Sequence, residues 1–355
     1  MQRPPLQPLG KAARGLSLVE LLVALAIGSL LIVGAVFVYS QSRTTHTVTE
    51  SVSRLQENGR FVMSVLEPDI QLAGYYGFSN SPTDIHYSDG TAVTDMQQGD
   101  TAVGEGPAVV QDCGTNFALD LSAPVQGVEK GFGLACAAFG SGVPADSDTL
   151  IIRRASTTPQ PVDARRLQIY ANRLSPADQV MFSGGTAPGP LKANLLEVRD
   201  VVVNAYYVSN DSDQRANFPS LRRKRLGLDA AGSYKTNDEE IMAGVEDLQV
   251  QFGVDMGADL DGDGKPDDAD NNKVADVVNG QATRYVNAGD DASINFGQVV
   301  SVRVWVRLRG EQGEVGFKND KTYTYGSTTF TANDNIRRLV MSRTFFLRNS
   351  RVLTN

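Results

Sequence analysis

Apolar residues dominate one segment near the start of the chain. Leu16 to Val38 reads LSLVELLVALAIGSLLIVGAVFV, 23 residues with a single charge at Glu20. A helix of this length spans the hydrocarbon core of a bilayer, which is about 30 Å thick. Lys11 and Arg14 stand just before it, and basic residues remain on the cytoplasmic side. The pattern therefore predicts one membrane-spanning helix over residues 16–38, with everything after Tyr39 exported.

Helical periodicity continues beyond the apolar segment. From Arg43 to about Gly74, polar positions separate apolar residues at mostly helical spacings, namely Val52, Leu55, Val62, Leu66 and Leu72. We expect an amphipathic continuation over residues 39–74 that packs its apolar stripe on a sheet, with a kink at Pro68 and a stop at Gly74. A membrane helix followed by a separate amphipathic helix is the alternative.

Short β-branched runs separated by Gly, Asp and Pro fill the rest of the chain. They predict strands near residues 149–154, 199–208, 244–254, 298–308, 323–331 and 338–348. In the fourth run, alternation places Val300, Val302, Val304 and Val306 on the buried face and Arg303, Trp305 and Arg307 on the other. Residues 77–148 are predicted to be mainly loops. The fold class is α+β, a long amino-terminal helix packed on a mostly antiparallel sheet in a head over residues 75–355.

Composition narrows the function classes. The 355 residues include 33 basic and 41 acidic side chains, a net charge of −8, with two histidines and two cysteines. An acidic protein lacks the surplus of Lys and Arg that nucleic-acid binding needs, so no nucleic-acid partner is expected. The one basic run, Arg222 to Arg225, is interpreted as a solvated or sheet-flanking loop. No GxSxG or GxxxxGK[ST] string occurs, and no enzymatic activity is expected.

Glu20 is the unusual residue of the apolar segment. A carboxylate inside a membrane helix costs on the order of 2–3 kcal/mol, so it calls for a partner unless it reaches the surface. A secretory signal peptide would share the basic start and apolar stretch, but Ser40-Gln41-Ser42 offers only a poor cleavage site.

The residues around Glu20 resemble the processing signal of type IV prepilins. Arg14-Gly15 followed by Leu16-Ser17-Leu18-Val19-Glu20 is similar to the family's basic leader, which ends in Gly and precedes a hydrophobic residue and a Glu four positions later. Phe is commoner than Leu as the first mature residue. The resemblance implies that prepilin peptidase removes a leader, residues 1–15, between Gly15 and Leu16 and methylates the new amino terminus.

Cleavage would create a cationic amine at Leu16, one helical turn from Glu20. In the apolar core of a filament, the amine of a neighbouring subunit would pair with each Glu20 carboxylate and fix the register between subunits. Glu20 is therefore the candidate assembly residue.

Three later segments resemble the PilW family of type IV minor pilins. They are residues 54–61 leading into 70–77, residues 244–255, and residues 302–306. The region from about 80 to 195 matches nothing recognisable and is variable in such families. The resemblance implies a minor pilin that primes pilus assembly, in a tip complex, and supports twitching motility, adhesion or DNA uptake.

The implied partners are other minor pilins, the major pilin, prepilin peptidase and the inner membrane. The implied location is the inner membrane, with a periplasmic carboxyl terminus, and then the pilus at the cell surface. The alternatives are a pseudopilin of type II secretion and, in another class, a membrane-anchored calcium-dependent adhesin.

Cys113 and Cys136 lie on the exported side, where oxidation is permitted. A disulfide between them closes a loop of about 24 residues and stabilises the fold by about 3 kcal/mol in the chain-entropy model. Two buried thiols are the alternative, and either role is structural.

An acidic loop is predicted within residues 255–272. Counted from Asp259, carboxylates fall at positions 1, 3, 5, 9 and 12 with Gly264 at position 6, which is the EF-hand pattern. No flanking helices are evident, so an isolated calcium loop between strands is expected, and a solvated acidic hairpin loop is the alternative. The candidate ligands are Asp259, Asp261, Asp263, the carbonyl of Lys265, Asp267 and Asp270.

Overall fold

A computed structural model describes most of the chain. The described residues are 15, 17–79, 85–88, 93–95, 113–114, 117–118, 120–174, 179–182, 196–228, 234–257, 280–289 and 298–350. By internal packing the chain divides into two units, residues 1–53 and residues 54–355. One helix, α1, runs from Leu18 to Gln71, and its last turns from Arg54 onward belong to the same compact unit as the sheets.

The helix ends where the sequence predicts. Pro68 lies inside α1, and Gly74 follows its end with φ of +75°, a backbone conformation that glycine adopts without strain. The Gly74 amide donates to the carbonyl of Arg153 at 3.1 Å. The chain therefore turns directly from the helix onto the first sheet.

Fifteen strands follow the helix. In chain order they are β1 (Ile85–Ser88), β2 (Val93–Asp95), β3 (Val125–Val128), β4 (Thr149–Ala155), β5 (Gln168–Asn172), β6 (Gln179–Phe182), β7 (Leu196–Ser209), β8 (Ser220–Leu228), β9 (Tyr234–Ala243), β10 (Val245–Val254), β11 (Arg284–Asn287), β12 (Val299–Arg309), β13 (Thr322–Tyr325), β14 (Thr328–Thr331) and β15 (Arg338–Phe346).

The strands form two sheets and a hairpin. The first sheet has the order β2-β1-β6-β5-β7-β4-β3, and β8 joins β7 to β9. The second sheet has the order β11-β10-β12-β15, and β13 and β14 pair alone. Only β1 and β6 pair in parallel among the described strands. The α+β prediction of a long helix with a mostly antiparallel sheet is confirmed.

Two large apolar cores flank the first sheet, besides a smaller cluster on β5, β6 and β7 formed by Tyr170, Val180, Phe182 and Val198. The larger core combines the last turns of α1 with β4, β7, β10 and β12, and includes Leu66, Ile70, Tyr206 and Val304. The second core lies on the other face of the first sheet, where Ile151 and Val203 pack on the segment around Phe117. Alternate residues of one strand serve different cores, as the twofold repeat of a strand requires.

Several strand predictions need correction. The prediction that the basic run Arg222 to Arg225 forms a loop is wrong, because these residues lie within β8. Residues 323–331 form a hairpin with a turn at Gly326, where φ is +55°, rather than one strand. Residues 77–148 contain three short strands, β1 to β3, and the sequence patterns missed β5, β6, β9 and β11.

The alternation of β12 is confirmed for Val302, Val304 and Val306, which are buried in the larger core. Val300 is also buried, but the pairing with β10 shifts beside it, so Val299 takes its place in that core. Arg307, which alternation places on the opposite face, is buried as well. It donates to Glu246 at 3.1 Å and to the Tyr325 hydroxyl at 2.7 Å. The hairpin of β13 and β14, which contains Tyr325, covers the Arg307 side chain. The alternation within β12 alone cannot reveal a contact with another part of the chain.

Asp148 joins the two sheets through its backbone and its carboxylate. Its amide donates to the carbonyl of Leu248 in β10 at 2.8 Å. The carboxylate accepts the amides of Val250 at 2.8 Å and Lys130 at 3.0 Å. Burial raises the pKa of Asp148 to about 6 despite those amides, and the neighbouring charge of Asp247 adds to the rise. No cation contacts this carboxylate among the described residues.

We expect Asp148 to make stability fall as pH rises from about 4 to about 6. In that window the folded chain holds a proton that the unfolded chain, with an ordinary pKa of 3.8, has released, at a cost of at most about 3 kcal/mol. Asp148→Asn should remove this part of the pH dependence. The measurement is urea unfolding at pH 4 to 7, followed by the fluorescence of the sole tryptophan, Trp305, on the full-length protein in detergent. An unchanged pH slope in the variant would contradict the assignment.

Candidate assembly site

The first turn of α1 is closed by a reciprocal pair of hydrogen bonds. The Ser17 amide donates to Glu20 Oε2 at 3.0 Å, and the Val19 amide donates to Ser17 Oγ at 3.2 Å. Ser17 therefore occupies the cap position and Glu20 the third helical position, an arrangement that satisfies amides left open at a helix start. The acidic side chain also lies at the positive end of the helix dipole. Sequence reasoning assigned Glu20 to pairing between subunits and missed its contact with Ser17.

The turns that follow are apolar on every side. The large hydrophobic side chains from Leu18 to Tyr39 are exposed, with Leu30 76% and Phe37 70% accessible. By length and composition α1 is the one helix among the described residues that is able to cross a membrane. A surface of this kind requires lipid or other protein as its cover.

The last turns of α1 bury one stripe of side chains. Leu55, Val62, Leu66 and Ile70 are at most 4% exposed and pack in the larger core. At Gly59 a β-carbon would meet Met341 Cε at 2.9 Å and Leu308 Cδ1 at 3.4 Å. The missing side chain therefore lets the helix backbone approach β12 and β15 closely.

A buried carboxylate fixes this part of the helix to the first sheet. Asp69 is 4% exposed. It accepts Arg154 Nη2 at 2.7 Å, Asn204 Nδ2 at 2.5 Å and the Tyr206 hydroxyl at 2.6 Å. Burial raises the pKa of Tyr206 well above its usual range, and the adjacent Asp69 charge adds to the shift. The three partners come from β4 and β7. They are far from Asp69 in the chain, so no sequence pattern predicts this cluster.

Comparisons with known proteins agree with this architecture. Residues 205–349 match the family model described as Type IV Pilus-assembly protein W, and residues 10–36 match the Prokaryotic N-terminal methylation motif. The chain is a PilW-type pilin with a prepilin methylation motif. The PilW resemblance and the leader resemblance drawn from the sequence are thereby confirmed.

A solved structure of a type IV-like pilin from Thermus thermophilus is also similar, with 13% identity over 57% of this chain and 78% of that chain. Its TM-score is 0.25, so the fold assignment rests on the strands and the helix described above. No curated protein matches the chain significantly.

The family places this pilin in type IV pilus assembly as a minor pilin. It also implies contact with other pilins and processing by prepilin peptidase, and the apolar helix fits an anchor in the inner membrane. Pilins are structural proteins rather than enzymes. Of the processing residues, Gly15 is exposed and Leu16 lies outside the described residues, so the cleavage position stays a prediction.

The two cysteines of the pilin form a disulfide bond. Cys113 and Cys136 are linked across 23 positions, and the Ala135 amide donates to the Cys113 carbonyl at 3.1 Å. Both residues pack in the second core. The bond therefore holds a long connection against the sheet face opposite α1, and the disulfide prediction is confirmed.

The basic run of the pilin is neutralised within its own sheet. Register pairs Arg222, Arg223 and Lys224 of β8 with Glu240, Glu239 and Asp238 of β9. Lys224 Nζ lies 2.9 Å from Asp238 Oδ2, and Arg222 Nε donates to Asp238 Oδ1 at 2.5 Å. Burial would raise the pKa of Asp238, but hydrogen bonds from Tyr207, Lys224 and Arg222 outweigh it and lower that pKa. Arg225 is opposite the uncharged Asn237 and takes no part in this ladder.

The candidate calcium ligands, Asp259, Asp261, Asp263, Lys265, Asp267 and Asp270, lie outside the described residues. The structure describes both ends of their segment. Asp255 is buried, and its carboxylate accepts the amides of Gly257 at 2.9 Å and Gly280 at 2.7 Å. One side chain thus holds the entrance and the exit of the acidic segment together.

We expect Asp69→Ala to lower the free energy of unfolding of the pilin by about 3–5 kcal/mol, because it leaves the half-buried Arg154 and the buried polar groups of Asn204 and Tyr206 without their acceptor. Tyr206→Phe is the matched control, since it removes one neutral donor and should cost about 1 kcal/mol. Urea unfolding followed by Trp305 fluorescence measures both. A loss below about 1 kcal/mol for Asp69→Ala would show that the carboxylate does not anchor the helix.

Proposed function

We propose that this pilin belongs to the initiating complex at the tip of a type IV pilus and thereby supports twitching motility, adhesion or DNA uptake. Its head, from about residue 75 onward, is large for a subunit that repeats along a filament, which favours a terminal position. After processing, the head is exported and the membrane helix enters the filament core.

The observation that carries the proposal is a carboxylate at the start of a bare apolar helix. Glu20 is exposed at the first turn of α1, among side chains that require an apolar cover. Moving this helix from lipid into a protein core is favourable only if the charge keeps a partner. The amine that prepilin peptidase exposes on a neighbouring subunit is a suitable partner, because it is positively charged and lies at the same end of the helix as Glu20.

The bond between Glu20 and the Ser17 amide offers a competing role, because helix capping needs an acceptor and no charge. Glutamine also serves at this position of a capping box. The two roles therefore make different demands on residue 20.

We expect Glu20→Gln and Glu20→Ala to be cleaved normally but to enter pili at least about tenfold less, since both lack the charge that pairs with the amine. Ser17→Ala, which weakens only the cap, should assemble nearly as well as the wild type. Immunoblots of sheared pili measure incorporation. If Glu20→Gln assembles normally while Glu20→Ala does not, capping rather than charge pairing explains Glu20.

Mass spectrometry of the amino terminus provides the control for processing. All variants should begin at methylated Leu16 in cells with prepilin peptidase and keep the leader in cells without it. A mature protein that retains residues 1–15 would favour the membrane-anchored adhesin instead. Loss of type II secretion with normal piliation, on deletion of the gene, would favour a pseudopilin.

We also propose that the acidic segment binds calcium. Crowded carboxylates repel one another unless a cation neutralises them, and the Asp255 clamp already keeps the two ends of the segment close. Bringing the ends together removes part of the entropy cost of ordering a loop around an ion. The bound ion would stiffen the exported head.

We expect about 1 mM calcium to raise the melting temperature of the full-length pilin by about 5 °C relative to chelator, through binding to the folded state alone. Asp261→Ala should abolish the shift. Asp320→Ala, which removes an exposed carboxylate elsewhere in the head, should leave it intact. Calorimetric titration without heat at millimolar calcium would rule out the site.

A further inference from the structure

A polar cleft lies on the first sheet beyond the end of α1. Its volume is about 550 Å³, and its lining includes Gln160, Arg165, Arg166, Asp200, Arg225 and Glu239. This volume is within the usual range for small-molecule sites. Neither the assembly role nor the calcium segment uses these residues.

Strand register locates the cleft. Arg225 pairs with Asn204 of β7 and with Asn237 of β9, and directly paired residues point to the same face of a sheet. Asn204 donates to Asp69 of α1. Asp200 lies four positions before Asn204 on the same strand and hence on the same face. The cleft therefore occupies the part of this face that continues past the last turn of the helix.

The connection between β4 and β5 forms a fixed rim. The Ser156 amide donates to the Asp200 carbonyl at 2.8 Å, and the Asp200 amide donates to Ser156 Oγ at 3.1 Å. The Gln160 amide donates to the carbonyl of Val198 at 2.7 Å, and Gln168 Nε2 donates to Asp200 Oδ1 at 2.8 Å. The rim is tied to β7 at several points, so the cleft is formed before any ligand enters.

The cations of the cleft differ in their partners. Arg166 contacts both Asp200 and Asp163, and Arg165 Nε lies 3.2 Å from Asp163 Oδ1. Glu239 is paired with Arg223. Arg225 is exposed and has no ion pair or hydrogen bond within the described part of the chain. It is the guanidinium available to a ligand, and its planar fork matches a carboxylate in two-point contact.

The acids of the cleft limit the charge of that ligand. Asp200 and Glu239 would repel a second negative charge, which disfavours phosphate dianions and polyanions. The same carboxylates accept hydrogen bonds from hydroxyl groups. Val202 lies between Asp200 and Asn204 on the same face of β7, and it adds half-buried apolar lining against which a ring can rest.

We infer that the cleft binds a singly charged, hydroxyl-rich carboxylate of the size of a hexuronate sugar, with its carboxylate on Arg225 and its hydroxyls on Asp200 and Glu239. The ligand is a free sugar acid or the end of an acidic saccharide. This inference does not depend on the role in pilus assembly, because it concerns binding by the purified chain.

The test is calorimetric titration of the full-length protein in detergent with galacturonate. Galactose supplies the hydroxyls without the charge, and acetate supplies the charge without the hydroxyls. We expect a dissociation constant in the millimolar range or below for galacturonate and at least tenfold weaker binding of galactose, acetate and inorganic sulfate. Trigalacturonate binding at least as tightly as the monomer would indicate a saccharide end, and weaker binding would indicate a free sugar acid.

Arg225→Ala should weaken galacturonate binding at least tenfold and leave the melting temperature unchanged, because no internal partner is lost. Arg284→Ala is the matched control, an exposed arginine on β11 outside the cleft, and should bind as the wild type does. The inference is overturned if galacturonate does not bind at about 20 mM, if acetate or sulfate binds equally well, or if Arg225→Ala binds as the wild type does.

Discussion

The head of this pilin is organised by the burial of one stripe of α1. Leu55, Val62, Leu66 and Ile70 enter a core shared with strands of both sheets, and each buried aliphatic side chain contributes about 1.5–3 kcal/mol. Apolar contact has no direction of its own, so it would permit the helix to rotate or slide. The three hydrogen bonds to Asp69 do have direction, and they fix which residue of the helix meets which strand.

Buried carboxylates recur as joints, and their surroundings give them different properties. Asp69 contacts a guanidinium, whereas among the described residues Asp148 accepts only backbone amides, and burial raises its pKa despite them. Asp255 bonds two glycine amides and holds the ends of one segment. Aspartate thus attaches a helix to a sheet at Asp69, connects two sheets at Asp148 and holds the ends of a segment together at Asp255. The hydrogen-bond partners distinguish these three roles.

Sequence reasoning predicted the elements that the pattern of neighbouring residues in the chain is sufficient to identify. The apolar run of α1 and the alternation of β12 depend on near neighbours in the chain, and both are present. The strand β8 was missed because its charges imitate a solvated loop, and the acids that neutralise them lie across the sheet in β9. The Asp69 cluster and the cleft could not be predicted either, because their residues are also far apart in the sequence. Asn204 is 135 positions from Asp69, and no periodicity connects them.

The charge ladder of β8 and β9 has a consequence for how copies of the chain meet. Among the described strands β9 pairs only with β8, so it is an edge strand, the kind of strand that can recruit strands from further molecules. Acidic side chains along β9 make such recruitment unfavourable, because a second copy would bring the same negative row against it. Aggregation between sheets is thereby discouraged, and the exposed apolar part of α1 remains the surface that requires a cover.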